Sequence, residues 1–262
     1  MRLLIVLIAI SFGSCSAIPP RDGATSAQAV PMSQAYLTAE TSDGVTVYGH
    51  IWEGRRADRR PTILLFHQGG SNGRGEYGEI AGWLAGEGFT AIAWDTRSGG
   101  DLYGSSNRTA ENLPDGVAAG FCDTLPDLIA AIDEAESNGF GEHGFILWGS
   151  SYTGALVFHA AADRPEVTRG VIAFSPASGG PMRSCLAMER APEVKAPMLV
   201  IQPPSEIVRP TAAEQRRQLE ALGASYVIPE DGVHGSSTLS DERTGKDMTG
   251  TRKLVLGWLK GL

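Results

Sequence analysis

A serine hydroxyl attacks an acyl carbon only where a base takes its proton and donors hold the oxyanion that forms. Ser151 stands where such chemistry could be built. The apolar run Phe145-Ile146-Leu147-Trp148 leads into Gly149-Ser150-Ser151-Tyr152-Thr153-Gly154 and then straight into Ala155–Ala162. Strand, turn and helix therefore abut, which presents the hydroxyl at the apex of a strained turn. Thr153 stands where glycine is usual, two positions past such a serine, and is expected to crowd the turn. Of the five histidines only His159 and His234 follow Ser151, and His159 lies within the helix after it. His234 sits in the loop Glu230-Asp231-Gly232-Val233-His234-Gly235, where a mobile imidazole could act as base. The acid that orients it is read as Glu206, just past the strand Met198–Ile201 and stiffened by Pro203 and Pro204; Asp231 is the rival. Oxyanion donors are expected from the backbone N–H of Tyr152 and from Gln68 or Gly69, in the turn after Ile63–Phe66. His67 is expected to brace that turn rather than move protons.

Two other glycine motifs compete with this assignment. Gly73-Arg74-Gly75-Glu76-Tyr77-Gly78 has the form of a dinucleotide-binding turn, with Asp95 at a suitable distance for a ribose. Its first glycine, however, lies six residues past the strand end at His67, too far to bring a pyrophosphate to a helix N-terminus. Gly69-Gly70-Ser71-Asn72-Gly73 has the form G-x-S-x-G, but the loop is expected to run on to Gly75 with no helix starting at Asn72. A dinucleotide-binding oxidoreductase and a non-catalytic binding protein remain as distant alternatives.

The elements that must position these residues alternate. Ala35–Glu40 and Val45–Trp52 read as a β-hairpin around Thr41-Ser42-Asp43-Gly44. Thr62–Phe66, Thr90–Trp94, Phe145–Trp148, Gly170–Phe174 and Met198–Ile201 are continuous apolar runs, the mark of parallel strands covered on both faces. Helical patterns separate them at Ile80–Gly86, Leu125–Ala135, Gly154–Ala162, Thr211–Leu222 and Leu254–Leu259. The fold class is therefore α/β, a mostly parallel central sheet with helices on both faces and an N-terminal β-hairpin. Ser98–Val117 and Ser175–Pro192 follow strands and are expected to overhang the site.

The 262 residues carry 22 Lys+Arg against 30 Asp+Glu, a net charge of −8, with no basic run longer than two. A nucleic-acid partner is not expected. At the N-terminus Arg2 precedes the apolar run Leu3–Ile10, and small residues follow, so residues 1–14 read as an export signal. Two cleavage registers stay open: a lipobox-like Phe12-Gly13-Ser14-Cys15, which would lipidate Cys15, and a small-x-small site at Cys15-Ser16-Ala17. Residues 15–34 then form a tether and residues 35–262 the catalytic domain. The protein is expected in the bacterial periplasm, as a lipoprotein whose lipid is its only membrane contact, or else secreted. In such a compartment Cys122 and Cys185 are expected to pair. No cluster of cysteine and histidine suggests a metal site, and no cofactor is expected.

The pieces Phe66-His67-Gln68-Gly69-Gly70-Ser71, Gly75-Glu76-Tyr77, Trp94–Gly100, the Ser151 turn and His234-Gly235 resemble the dienelactone-hydrolase-like group of α/β-hydrolases. The resemblance implies that fold from about Thr41 onward. It also implies a hydrolase, but dienelactone hydrolases proper use cysteine as nucleophile, so dienelactone is not the expected substrate. The sequence reads as an exported serine hydrolase for esters of small soluble molecules, with amidase or peptidase activity on the same triad as the alternative.

Overall fold

The computed structural model describes residues 36–55 and 59–262. The expected signal, Cys15 and the tether lie outside the described residues. The strands are β1 (Tyr36–Glu40), β2 (Thr46–Trp52), β3 (Thr62–Phe66), β4 (Ala91–Asp95), β5 (Phe145–Ser150), β6 (Thr168–Phe174), β7 (Met198–Ile201) and β8 (Ser225–Val227). They form one sheet in the order β1-β2-β4-β3-β5-β6-β7-β8. The hairpin β1–β2 is antiparallel, and β2 lies antiparallel on β4; every later pairing is parallel. Gly44, at φ 81°, turns the hairpin, with Thr41 N–H donating to the Val45 carbonyl at 2.9 Å.

The two strand rhythms of the sequence correspond to two environments. β1 alternates exposed and buried residues, whereas β3, β4, β5 and β7 are buried at every position. Successive residues of a strand face opposite sides, so β3 feeds two cores. Leu64 and Phe66 pack with Leu128, Ile132, Leu156 and Leu219 on one face; Ile63 and Leu65 pack with Tyr77, Ile80, Val255 and Leu259 on the other.

The helices are α1 (Gly73–Gly86), α2 (Arg108–Glu111), α3 (Leu125–Ser137), α4 (Tyr152–Asp163), α5 (Ala187–Arg190), α6 (Pro204–Ile207), α7 (Pro210–Ala221), α8 (Asp241–Thr244) and α9 (Thr249–Lys260). α1 corrects the sequence expectation. It begins at Gly73, not near Ile80, and Asn72 caps it by accepting from Gly75 N–H at 2.6 Å. A Cβ on Gly73 would lie 2.8 Å from the Ala93 carbonyl, so glycine lets the helix start hard against β4. Apolar periodicity is silent there because the first turn is built from small and polar residues.

From β3 the chain crosses to β4 on one side and then returns to β5 on the other. A crevice opens at the carboxyl ends of strands where such a reversal occurs. The loops after β3 and β5 both lead into it.

Candidate active site

Ser151 joins β5 to α4 with φ 61° and ψ −115°, a backbone conformation that costs a residue with a side chain roughly 1–3 kcal/mol. Neighbours hold it there: Ser151 N–H donates to the Phe174 carbonyl at 2.8 Å, and Ala177 N–H donates to the Ser151 carbonyl at 3.0 Å. A Cβ on Gly149 would lie 2.2 Å from the Thr153 carbonyl oxygen, so that position admits only glycine. The expected crowding by Thr153 does not occur. Its side chain turns back, accepting from Ser150 N–H at 2.8 Å and reaching the Phe66 carbonyl at 2.7 Å. Thr153 thereby ties the serine turn to the end of β3.

His234 Nδ1 lies 2.5 Å from Glu206 Oε1. Glu206 is carried by the short helix α6 directly after β7, and its other oxygen accepts from Gln202 Nε2 at 3.1 Å. Burial works against its charge, but the hydrogen bond and charge of His234, helped by Gln202 and Ser175, hold the carboxyl below the usual range. The rival Asp231 instead faces Lys246 Nζ at 3.7 Å. His159 is in α4, with Nε2 2.9 Å from the Leu186 carbonyl.

The chain after His234 is fixed from behind. Gly235 N–H donates to Ser175 Oγ and Ser236 N–H to Ser150 Oγ, both at 3.0 Å. Gly235 has φ 68°, and a Cβ there would lie 2.4 Å from Ser150 Oγ. Sequence reasoning passed over Ser175. It closes β6 and is made useful only by the tertiary approach of the histidine loop.

On the opposite side the β3 loop is braced by His67, fully buried and held neutral by that burial. Nδ1 lies 2.7 Å from the Gln68 carbonyl, while Nε2 receives Thr96 N–H at 2.9 Å and Asn107 Nδ2 at 3.1 Å. This pattern fixes the tautomer with the proton on Nδ1. The two alternatives for the second donor differ in what their N–H groups meet. Gln68 N–H is engaged by the buried carboxyl of Glu76 at 2.7 Å, whereas Gly69 N–H donates to no group among the described residues. Gly69 is also where the loop has no room for a side chain, since a Cβ would lie 2.9 Å from Phe121 Cε1. Phe121 stacks on the Tyr152 ring, centroids 4.6 Å apart, so one aromatic packs on both candidate donor residues. Glu76 and Phe121 carry no sequence signal for these roles.

Ser151, His234 and Glu206 all line one cavity of about 230 Å³, with Phe121, Ser175–Gly179, Pro181, Met182, Arg209 and Thr211 among its walls. Of the two segments expected to overhang it, only Ser175–Pro192 contributes. Ser98–Val117 lies behind the β3 loop instead, where Tyr103 OH receives Gln68 Nε2 at 3.1 Å. Cys122 and Cys185 are joined in a disulfide with Cα atoms 5.6 Å apart.

The competing motifs take other roles. Gly73–Gly78 lies inside α1, and Asp95 is buried, accepting Gly73 N–H at 2.8 Å and Arg108 N–H at 2.9 Å. Contrary to expectation a helix does follow Ser71 almost at once, but Ser71 is fully buried, without the left-handed backbone of Ser151. Arg97 is buried too, with its guanidinium between Asp43 and Asp127.

A dienelactone hydrolase of Anabaena variabilis superposes with a TM-score of 0.63 at 20% identity, covering 87% of this chain and 97% of that one. The α/β-hydrolase GrgF of Penicillium sp. sh18 gives 0.66 at 15% identity, covering 87% and 98%. An acylaminoacyl peptidase of Pyrococcus horikoshii gives 0.60 at 16% identity, but this chain spans only 41% of its length while 87% of this chain is covered. At these identities the likeness is one of fold. No curated protein matches the chain significantly in sequence. Residues 57–206, more than half of the chain, match the family described as serine aminopeptidase, S33. With its mostly parallel sheet and the turn at Ser151, the chain belongs to that family of α/β-hydrolases.

Proposed function

We propose that the protein is an exported serine esterase acting on small soluble carboxylic esters through an acyl-enzyme. The observation that carries this reading is the 2.5 Å contact of His234 Nδ1 with Glu206, at a cavity that also receives the strained Ser151. In this mechanism Glu206 holds the proton on Nδ1, which leaves Nε2 to take the proton of Ser151 as Oγ attacks the acyl carbon. The backbone N–H groups of Tyr152 and Gly69 receive the oxyanion, each lowering the barrier by roughly 3 kcal/mol. As the tetrahedral species collapses, His234 returns the proton to the departing alkoxide. Water then enters, His234 removes its proton, and the acid is released by the same steps in reverse order.

Preference for an ester over a peptide rests on the cavity's charges. An aminopeptidase must hold a substrate ammonium group, which calls for an unengaged carboxylate beside the nucleophile. Among the described residues lining the cavity the only carboxylate is Glu206, and it faces His234. Export is supported by the disulfide, which persists in oxidising compartments, and by the apolar N-terminal segment. The membrane contact proposed is a lipid on Cys15.

Two measurements test the proposal. Fluorophosphonate labelling with peptide mapping should modify Ser151, and Ser151→Ala should abolish the label. A series of p-nitrophenyl esters should be hydrolysed faster than aminoacyl p-nitroanilides. Faster anilide turnover would make the protein a peptidase instead.

A further inference from the structure

The cavity at Ser151 is small. About 230 Å³ falls below the roughly 300–1,000 Å³ usual for a small-molecule site, so it houses an ester group with only a short substituent. It ends at Ser178 and Thr211, whose hydroxyls meet at 3.2 Å. The same two residues form the near wall of a second depression of about 360 Å³. Beyond them that depression is lined by Leu186, Met188 and Pro210 and by the stems of Glu214, Gln215 and Gln218.

Both sides of this groove are anchored. Leu186 follows the disulfide-bonded Cys185, and its carbonyl lies 2.9 Å from His159 Nε2. On the α7 side Gln215 Nε2 donates to the Pro176 carbonyl at 2.8 Å. The ridge between cavity and groove is less firmly held. It is a single hydrogen bond between two hydroxyls, of which Thr211 is exposed, and each can turn to water when the bond breaks.

We infer that the groove is an outer substrate subsite, and that its occupant is a linear apolar chain of medium length on the ester bound at Ser151. The inference rests on the esterase reading above. Continuity selects the occupant: a chain leaving the reacting carbon passes Ala177 and crosses the Ser178–Thr211 ridge before meeting Leu186 and Met188. Leu186, Met188 and Pro210 supply no charge, and the one lining carboxylate, Glu214, is already paired with Arg217, so a charged tail would lose its hydration there without gaining a free partner. An eight-carbon chain could belong to either half of the ester, and the two halves can be assayed apart.

The experiment compares kcat/KM for p-nitrophenyl acetate, butyrate and octanoate, and for octyl acetate against ethyl acetate. The wild-type protein should favour the long chain by about tenfold on one side of the ester and not the other, which identifies the half that occupies the groove. Gln218→Trp, an exposed position on α7 that can fill the groove, should reduce this long-to-short ratio about tenfold. Met188→Glu, which puts a charge on the floor, should do the same, and thermal melting checks that both variants are folded. A wild-type ratio at or below one for both halves overturns the subsite. So does a ratio that neither folded variant changes. If short esters are hydrolysed and Ser151 takes the fluorophosphonate in those cases, only the subsite has failed. Absence of both label and ester turnover ends both readings.

Discussion

Orientation of His234 depends on two supports of different kinds. Glu206 supplies a charge-assisted hydrogen bond at 2.5 Å, and Gly235 with Ser175 and Ser150 fixes the backbone behind the ring. Replacing Glu206 by Gln keeps the volume but removes the charge that steadies the imidazolium, and ester turnover should fall about 10³–10⁴-fold. Asp231→Asn, at a side chain facing Lys246, should leave turnover within about threefold of normal in the same assay. The opposite ranking would move the acid to Asp231. Thr153 gives a separate test. Thr153→Val leaves the buried Ser150 N–H without its acceptor and should cost about 1–3 kcal/mol in urea unfolding, while Thr153→Ser should retain most of the stability. Equal losses in both would mean that the methyl group matters rather than the hydroxyl.

At the scale of elements, the disulfide joins the 3₁₀ turn before α3 to the segment that walls the cavity. It closes a loop of 63 residues, worth about 4 kcal/mol in the chain-entropy account. Phe121 precedes Cys122, whose Sγ lies 3.7 Å from the Pro181 carbonyl, and the Met182 carbonyl accepts Cys185 N–H at 3.0 Å; all three line the cavity. The double variant Cys122→Ser, Cys185→Ser should therefore lose up to about 4 kcal/mol of stability and raise KM for short esters more than it lowers kcat. Two alkylatable thiols in denatured, unreduced protein from the periplasm would refute the pairing. The strands were legible because β3 to β7 must be apolar on both faces, and the Ser151 turn because only that serine separates strand from helix. Less legible was the start of α1, where Gly73 serves close approach to Ala93 rather than apolar burial. Least legible were Ser175, Glu76 and Phe121. Their roles come from segments about 60, 8 and 31 residues away in the chain, and neither type nor spacing announces such meetings.

On the scale of the whole molecule, the site sits where the sheet reverses, and the N-terminal hairpin is tied to that same region by one buried cation. Arg97, two residues past β4, reaches Asp43 in the hairpin turn with Nη2 at 2.8 Å and Asp127 in α3 with Nε at 2.8 Å. Asp127 also accepts Arg97 N–H at 2.7 Å, and neither the Arg97 nor the Asp127 side chain is exposed. Removing the cation leaves a buried carboxylate without its partner, so Arg97→Ala should lose up to about 3–5 kcal/mol where Asp127 is still ionised. The pH dependence has a definite sign. The Arg97 hydrogen bonds hold the Asp43 carboxyl well below the usual carboxylate range in the folded protein. Asp43 therefore contributes stability that is complete above its unfolded pKa, near 4, and is lost as pH falls through its lower folded value. In the variant Asp43 has no such shift, and acid also removes the cost of the unpaired Asp127 charge by protonating it. Burial pushes the Asp127 carboxyl up to about 6 even beside Arg97, and without the cation it titrates higher still. The stability gap between wild type and Arg97→Ala, measured by urea unfolding, should thus be widest above neutral pH, narrow toward pH 6 as Asp127 takes a proton, and narrow again below about pH 4 as the Asp43 contribution is lost. A gap that stays constant from pH 7 to pH 3 would assign the loss to the packing of the arginine stem, not to the ion triad.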